Sequence, residues 1–235
     1  MLPILYFILS AVVVYMSVAL ILWAVYRLGG DYALLMASVV SYVTLLVISE
    51  YVAVKLMNIG FAVIPAGTAT YSSTVASLDI LALKYGRRVA RTVVWSAAAL
   101  LIIVFMVNEL VIYAPTPPFA QSMQYVVETA FGTSARIAIA SVTAFLVAET
   151  LDVYLVTKWP WLGVIRRVAI SDPISMAVDS LVFTPIAFLG IYPLTAVMSI
   201  ALGQIMAKVT LVPLTMAAVY INRRALKYGY QYLTK

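Results

Sequence analysis

The chain contains no cysteine and no histidine. A disulfide frame, a thiol nucleophile and a metal or haem site built from Cys or His are therefore excluded. Charge is almost as scarce. Asp, Glu, Lys and Arg make up 10% of the 235 residues, against about 25% in an ordinary soluble domain. No Gly-rich phosphate cradle occurs, so the usual P-loop route to ATP hydrolysis is closed. With no His there is no nucleophile–His arrangement either, and the chain does not read as an enzyme. Asparagine and glutamine are few, which together with the missing cysteine leans toward a thermophile composition. No low-complexity tract or long linker interrupts the sequence, so residues 1–235 read as one domain. The first segment lacks a basic leading region and a small-residue cleavage site, and reads as a retained helix instead of a signal peptide.

What remains is apolar. Hydrophobic residues make up 65% of the chain and its mean hydropathy is +1.06. A single soluble core could not hide that much apolar surface. Runs of about 20 apolar residues read as membrane-spanning helices, and they recur at roughly 4–26, 33–56, 64–83, 92–113, 135–157, 173–191 and 194–221. The residue alternation of an outer-membrane barrel is absent. The expected fold is all-α, a polytopic membrane bundle of six to seven transmembrane helices in the lipid bilayer of the cell membrane.

The net charge of +6 would suggest nucleic acid in a soluble domain. Here the basic residues gather in alternate loops, which speaks for a membrane and against a nucleic-acid partner. Arg27 follows the first segment. Lys84, Arg87, Arg88 and Arg91 lie between the third and fourth, and Lys158, Arg166 and Arg167 between the fifth and sixth. Arg223, Arg224, Lys227 and Lys235 follow the seventh. With seven spans all of these fall on one side, and the positive-inside rule makes that side, with the C-terminus, cytoplasmic. Tyr154, Trp159, Trp161 and Tyr228 suit the aromatic belt there. The Pro-rich stretch 113–132 becomes the largest outer loop, with a short surface helix. The third segment is irregular: "NIGFAVIPAGTATYSST" (58–74) carries Gly60, Pro65 and Gly67. It reads either as a broken or re-entrant helix near a substrate site, or as small residues that let helices pack closely. If it does not span fully, the N-terminus changes sides.

Apart from Glu109, four residues from the end of the fourth segment, five acids fall within these spans: Glu50, Asp79, Glu149, Asp152 and Asp179, with Lys208 the one deep base. Such groups cost a few kcal/mol to insert and normally face a cavity or a partner. Counting about 1.5 Å per residue from the basic loops puts Asp79, Asp152 and Asp179 at similar depth, with Glu149 one turn deeper on the face of Asp152. The simplest arrangement is a polar cavity in the cytoplasmic half, lined by acids from three helices with Lys208 reaching in. Each residue also has a plainer explanation. Asp152 could pair with Lys158, Asp79 with Arg87 or Arg88, and Asp179 with Lys208. Glu50, toward the outer half, is the weakest site candidate. Carboxylates accept from an N–H/NH₂ edge, and Tyr71, Phe145 and Phe183, on the same segments, could stack on a planar ring. The chemistry describes a polar, planar, donor-rich ligand, and fits proton relay or cation binding equally.

Four stretches carry a family resemblance: "LDILALKYGRRVAR" (78–91), "ARIAIASVTAFLVAETLDV" (135–153), "RRVAISDPISMAVDSLVFTPIAF" (166–188) and "GQIMAKVTLVPL" (203–214). In order and spacing they resemble the vitamin uptake transporters, also called queuosine precursor transporters, over most of residues 65–215. The resemblance implies import of a small 7-deazaguanine such as 7-cyano-7-deazaguanine, with no cofactor. It makes Asp79, Glu149, Asp152, Asp179 and Lys208 ligand-cavity candidates and Tyr71 and Phe145 stacking candidates, and Ser141, Phe183 and Gln204 complete the expected substrate-binding set. The chain departs from the family at Tyr71-Ser72, where Phe-Pro is common, at Met176, where an amide is common, and at Leu78, where Thr is common. Transport of another vitamin-like molecule, or service as a binding subunit for separate ATPase partners, stays open. A homo-oligomer is compatible with all of these.

Overall fold

The computed structural model describes residues 2–53, 55–132 and 135–226. Among them the chain is a helix bundle with one small β-hairpin. The helices are α1 (Leu2–Val52), α2 (Thr68–Ile112), α3 (Gln121–Phe131), α4 (Ala135–Lys158), α5 (Val164–Phe188), α6 (Leu194–Val209), α7 (Val212–Ile221) and the short α8 (Arg223–Leu226). Two strands, β1 (Leu56–Asn58) and β2 (Val63–Pro65), pair antiparallel between α1 and α2. The stretches 3–52, 68–112, 118–158 and 194–221 are long and apolar enough to cross a membrane. α5 falls short because its inward face is polar.

The two longest helices cannot be single rods. At 51 residues, α1 would run about 77 Å if straight, more than twice the thickness of a bilayer core. Each is divided by a glycine in a backbone conformation that other residues avoid: Gly30 (φ 68, ψ −153) in α1 and Gly86 (φ 85, ψ 169) in α2. Beyond the glycine each helix folds back. Phe7 and Ala11, early in α1, share a core with Ile59 and Ile64 of the hairpin. Ser49 and Ala53, at the far end, sit against Gly67 just after the hairpin. Likewise Asn108, late in α2, accepts a hydrogen bond from Tyr51 (3.0 Å), while the start of α2 lies beside Ser49.

The first arm of α2 runs through the middle of the bundle. From Ser72 to Lys84 every residue is buried, the pattern of a helix surrounded on all sides. α5 is amphipathic in the membrane sense. Ser171, Asp172, Ser175, Asp179, Ser180 and Thr184 face inward, and Ile170, Ile174 and Leu181 face out. Pro173 and Pro185 interrupt its backbone ladder, since proline cannot donate.

The basic residues collect at the end that holds the two glycine bends. There the Tyr85 hydroxyl donates to the Asp31 carbonyl (2.5 Å) and Arg87 Nε to Thr157 (2.9 Å). Arg87 and Lys158 also lie over Tyr154 and Trp159 rings. The Arg167 guanidinium donates to the carbonyls of Leu162, Pro160 and Val156. The hairpin, α3 and the turn after α5 form the opposite end, where Arg136 donates to the carbonyls of Ile186 and Leu189. Lys227, Tyr228 and Lys235 lie outside the described residues.

Two sequence expectations change here. The irregularity at 58–67 is not a break within a helix. Gly60 (φ 99) turns the hairpin, which packs beneath α1, and α2 then runs unbroken from Thr68 to Gly86. The sixth segment begins at Val164, not at 173. Arg166, Arg167 and Asp172 therefore belong to the helix, and Asp172 is fully buried two turns inside it.

Candidate functional site

The intramembrane acids separate into two groups. The first lines a pocket of about 90 Å³ toward the hairpin end. Glu50 comes from the last turns of α1 and Tyr71 from the first turn of α2. Ser141 comes from α4, Asp179 and Phe183 from α5, and Gln204 and Lys208 from α6. Close backbone approach makes room for this convergence. A side chain at Gly67, which also borders the pocket, would meet the Ser49 carbonyl at 2.3 Å.

The pocket's polar groups are held by one another. Lys208 Nζ forms an ion pair with Asp179 Oδ2, and both side chains are nearly buried, at 5% and 10% exposure. The Tyr71 hydroxyl lies 3.0 Å from Asp179 Oδ1 and 3.2 Å from Glu149 Oε1. It has one proton for two carboxylate acceptors. The Lys208 ammonium also stands 5.1 Å from the centre of the Tyr71 ring, within cation–π range. Ser141 donates to Glu50 Oε1 (2.9 Å). A buried ion pair is weak evidence for stability in itself, because desolvation offsets much of the attraction. This one lies on a cavity wall together with Gln204, which offers both donors and an acceptor. The arrangement can therefore present carboxylate, ammonium and amide to one small polar molecule.

The second group lies deeper in the bundle, and the pocket does not reach it. Asp79, Asp152 and Asp172 each place an oxygen within 4.8 Å of the others. Asp152 accepts from Ser175 (3.0 Å) and Asp172 from Ser171 (3.2 Å). Asp79 has no hydrogen-bond donor on either oxygen. Glu149 stands between the groups, one turn from Asp152 on α4 and bonded to Tyr71.

The structure thus brings Tyr71, Ser141, Asp179, Phe183, Gln204 and Lys208 together at the pocket and keeps Asp79 and Asp152 apart from it. The single cavity expected in the basic half is instead a pocket nearer the hairpin and a closed acidic cluster. Phe145 lies in neither. It is fully buried in the core, with its ring 6.2 Å from that of Tyr42. The proposed Asp152–Lys158 and Asp79–Arg87 or Arg88 pairings do not form, since Lys158 lies over aromatic rings and Arg87 donates to Thr157. The Asp179–Lys208 pairing does form, on the pocket wall. Sequence reasoning undervalued Glu50 and missed Asp172. Glu50 has Ser141 as its partner across the helices, a pairing no local pattern reveals. Asp172 was hidden because Pro173 looked like the first residue of a helix.

Two larger spaces are less suited to a polar ligand. A groove of about 670 Å³ between α1, the hairpin and α3 and another of about 900 Å³ beside α6 and the hairpin have no acid among their lining residues. The first offers hydroxyls and Lys55 and the second Asn58, Thr195 and Ser199, but neither pairs a carboxylate with a base as the smaller pocket does.

Comparison with known proteins agrees with the chemistry. A family model described as "Putative vitamin uptake transporter" matches residues 65–222, which include both acidic groups except Glu50. A curated Bacillus subtilis (strain 168) protein named "Probable queuosine precursor transporter" is 33% identical over 139 residues, covering 54% of this chain and 57% of that protein. The aligned part is thus little more than half of that relative. No solved structure matches the chain.

Proposed function

Since the chain belongs to the vitamin uptake transporter family, we propose that it carries a queuosine precursor, 7-cyano-7-deazaguanine or a related deazapurine, across the cell membrane. The observation that carries this reading is the pocket where Glu50, Asp179, Lys208 and Gln204 converge beside the Tyr71 and Phe183 rings. A guanine-type ring offers an N–H/NH₂ edge beside a carbonyl. Asp179 or Glu50 accepts from the edge, Lys208 donates to the carbonyl, and Tyr71 or Phe183 covers the ring face. Glu149 supports the site through the Tyr71 hydroxyl.

The orientation in the membrane follows from charge. The end carrying Arg27, Lys84, Arg87, Lys158, Arg166, Arg167 and Arg223 faces the cytoplasm by the positive-inside rule. The pocket lies toward the outer end, and the acidic cluster lies on its cytoplasmic side. At about 90 Å³ the cavity is well below the roughly 300 Å³ or more of a typical small-molecule site. Loading therefore requires α1, α5 and α6 to part near the hairpin.

The test is uptake of radiolabelled 7-cyano-7-deazaguanine into liposomes that contain the purified chain alone. Saturable uptake, competed by unlabelled deazaguanine and lost in Asp179→Asn and Glu50→Gln, supports the reading. Uptake unchanged in both variants overturns the site. No uptake by the pure chain, together with uptake once an ATPase partner is added, overturns autonomous transport.

A further inference from the structure

The cluster of Asp79, Asp152 and Asp172 is not accounted for by the pocket. It draws one acid from each of three helices, α2, α4 and α5, and all three are 0–1% exposed. Ser175 and Ser171 each satisfy one carboxylate oxygen. Both oxygens of Asp79 remain buried with no donor, and the second oxygens of Asp152 and Asp172 have only the hydroxyls of Ser171 and Thr215 nearby, outside hydrogen-bond geometry. Outside the cluster, Glu149 Oε2 is also buried and unpartnered at 3% exposure, one turn along α4. Acids in a membrane protein's interior normally meet a base. Among the described residues the buried bases are engaged elsewhere, Lys208 with Asp179, Lys84 with Asp31 and the Ala225 carbonyl, and Arg167 with the carbonyls of Leu162, Val156 and Pro160.

Burying a carboxylate without a donor is among the most costly arrangements in a protein. Asp79 is such a carboxylate, and two further buried carboxylates within 4.8 Å of it add mutual repulsion wherever they are ionised. Such a group persists where something positive completes it. Separations of no more than 4.8 Å leave room for a hard cation among the oxygens. Oxygens on opposite sides of an ion with bonds of about 2.3–2.6 Å stand up to roughly 5 Å apart. Calcium has that size, and sodium has nearly the same radius. Magnesium, with bonds of about 2.0–2.1 Å, draws its oxygens closer. Soft metals prefer sulfur or imidazole, and the chain has neither Cys nor His.

We propose that Asp79, Asp152 and Asp172 form a buried site for a hard cation of the size of Ca²⁺ or Na⁺, separate from the pocket. Asp79 contributes the unpartnered carboxylate, and Ser175 and Ser171 orient the other two. Filling the site is felt in the pocket through side chains already in contact. Glu149, beside the cluster, accepts from the Tyr71 hydroxyl, and that hydroxyl also faces Asp179. With the cation bound, Glu149 is relieved of neighbouring negative charge and Tyr71 is free to favour Asp179 or Glu149. The site thereby acts as a second ligand coupled to the first. Ion binding itself does not depend on which molecule the pocket takes.

The full chain, purified in detergent and stripped with chelator into a choline buffer, is titrated with CaCl₂, NaCl and MgCl₂ in turn, with choline chloride as the ionic-strength control. Thermal stability and calorimetry are read together, and equilibrium dialysis with ⁴⁵Ca²⁺ or ²²Na⁺ counts ions per chain. The expected result is saturable binding of one Ca²⁺ or Na⁺ per chain. Affinity falls at least tenfold in Asp79→Asn and Asp152→Asn and is unchanged in Glu109→Gln, an exposed acid on the second arm of α2. Where an Asp variant does not fold, Ser175→Ala replaces it and weakens binding about threefold or more. Absence of saturable binding by the wild-type chain overturns the proposal, as does binding that survives in all of these variants. Magnesium binding alone, without calcium or sodium, also overturns it.

Discussion

Replacing Lys208 with methionine keeps the length and apolar stem of the side chain and deletes only the charge. In the folded chain this strands Asp179, which is 7% exposed and whose Oδ2 is the partner of Lys208. Breaking a buried pair by removing one partner costs about 3–5 kcal/mol, because the remaining charge is left uncompensated. The Tyr71 hydroxyl at 3.0 Å from Oδ1 is present with and without the lysine, so it does not offset that loss. The expected cost is about 3–5 kcal/mol. The double variant Asp179→Asn with Lys208→Met carries no stranded charge and should recover most of it. Unfolding in mixed micelles, followed through the tryptophans, measures all four corners of the cycle, and the coupling energy should exceed about 1.5 kcal/mol. Uptake is measured on the same preparations. The double variant should be stable and inactive, which separates a role in transport from a role in folding. A Lys208→Met cost below about 1 kcal/mol, the range of solvated surface pairs, would refute the reasoning. The pocket would then be wet enough for each ion to stand alone.

Tyr71→Phe retains the ring and removes the hydroxyl shared by Glu149 and Asp179. It should cost about 1.5–3 kcal/mol and weaken ligand binding in a thermal-shift titration, whereas an unchanged midpoint would mean the bridge is not formed in solution. Gly86→Ala places a Cβ at φ 85 and ψ 169. Strain of about 1–3 kcal/mol is expected, read as a lower unfolding midpoint with the helix content unchanged by circular dichroism. Gly67→Ala drives a methyl to 2.3 Å from the Ser49 carbonyl. The overpacking should cost about 1–3 kcal/mol and shift α1 from α2 at the pocket wall, so ligand affinity should fall with stability.

The helical bundle was legible because membrane helices announce themselves locally. About 20 apolar residues in a row need no tertiary information, and the clustering of Lys84, Arg87 and Arg88 marked the bend at Gly86 to within a few residues. The hairpin at 56–65 was not legible. Three-residue strands leave no periodic signal, and Gly60, Pro65 and Gly67 suit a broken helix equally well. The identity of the pocket's acids was partly legible. Asp179 and Lys208 stood out by depth alone, as intramembrane charges do. Their grouping was not legible, because depth along a helix says nothing about which face a residue takes when the arm is buried all round. Asp79 and Asp179 lie in different clusters for a further reason: α5 begins at Val164, which puts Asp179 deeper in the bundle than the count from residue 172 implied. Asp172 was misread for a local reason. Proline after a charged residue is a common helix start, and only the Arg167 side chain capping the end of α4 reveals that α5 has begun two turns earlier.

Lys84 touches four pieces of the chain at once. Its ammonium meets the Asp31 carboxylate at 2.8 Å and the Ala225 carbonyl at 2.5 Å, and stands near the rings of Tyr26 and Tyr85. Both arms of α1, the middle of α2 and the last short helix are thus knotted at one corner, where Lys84 is buried and Asp31 reaches it from the surface. A bundle stitched there cannot swing freely at its foot. Widening falls to the far rim, where the hairpin and the ends of α5 and α6 meet, so a cross-link across that rim should arrest the cycle while one near Lys84 should leave it running.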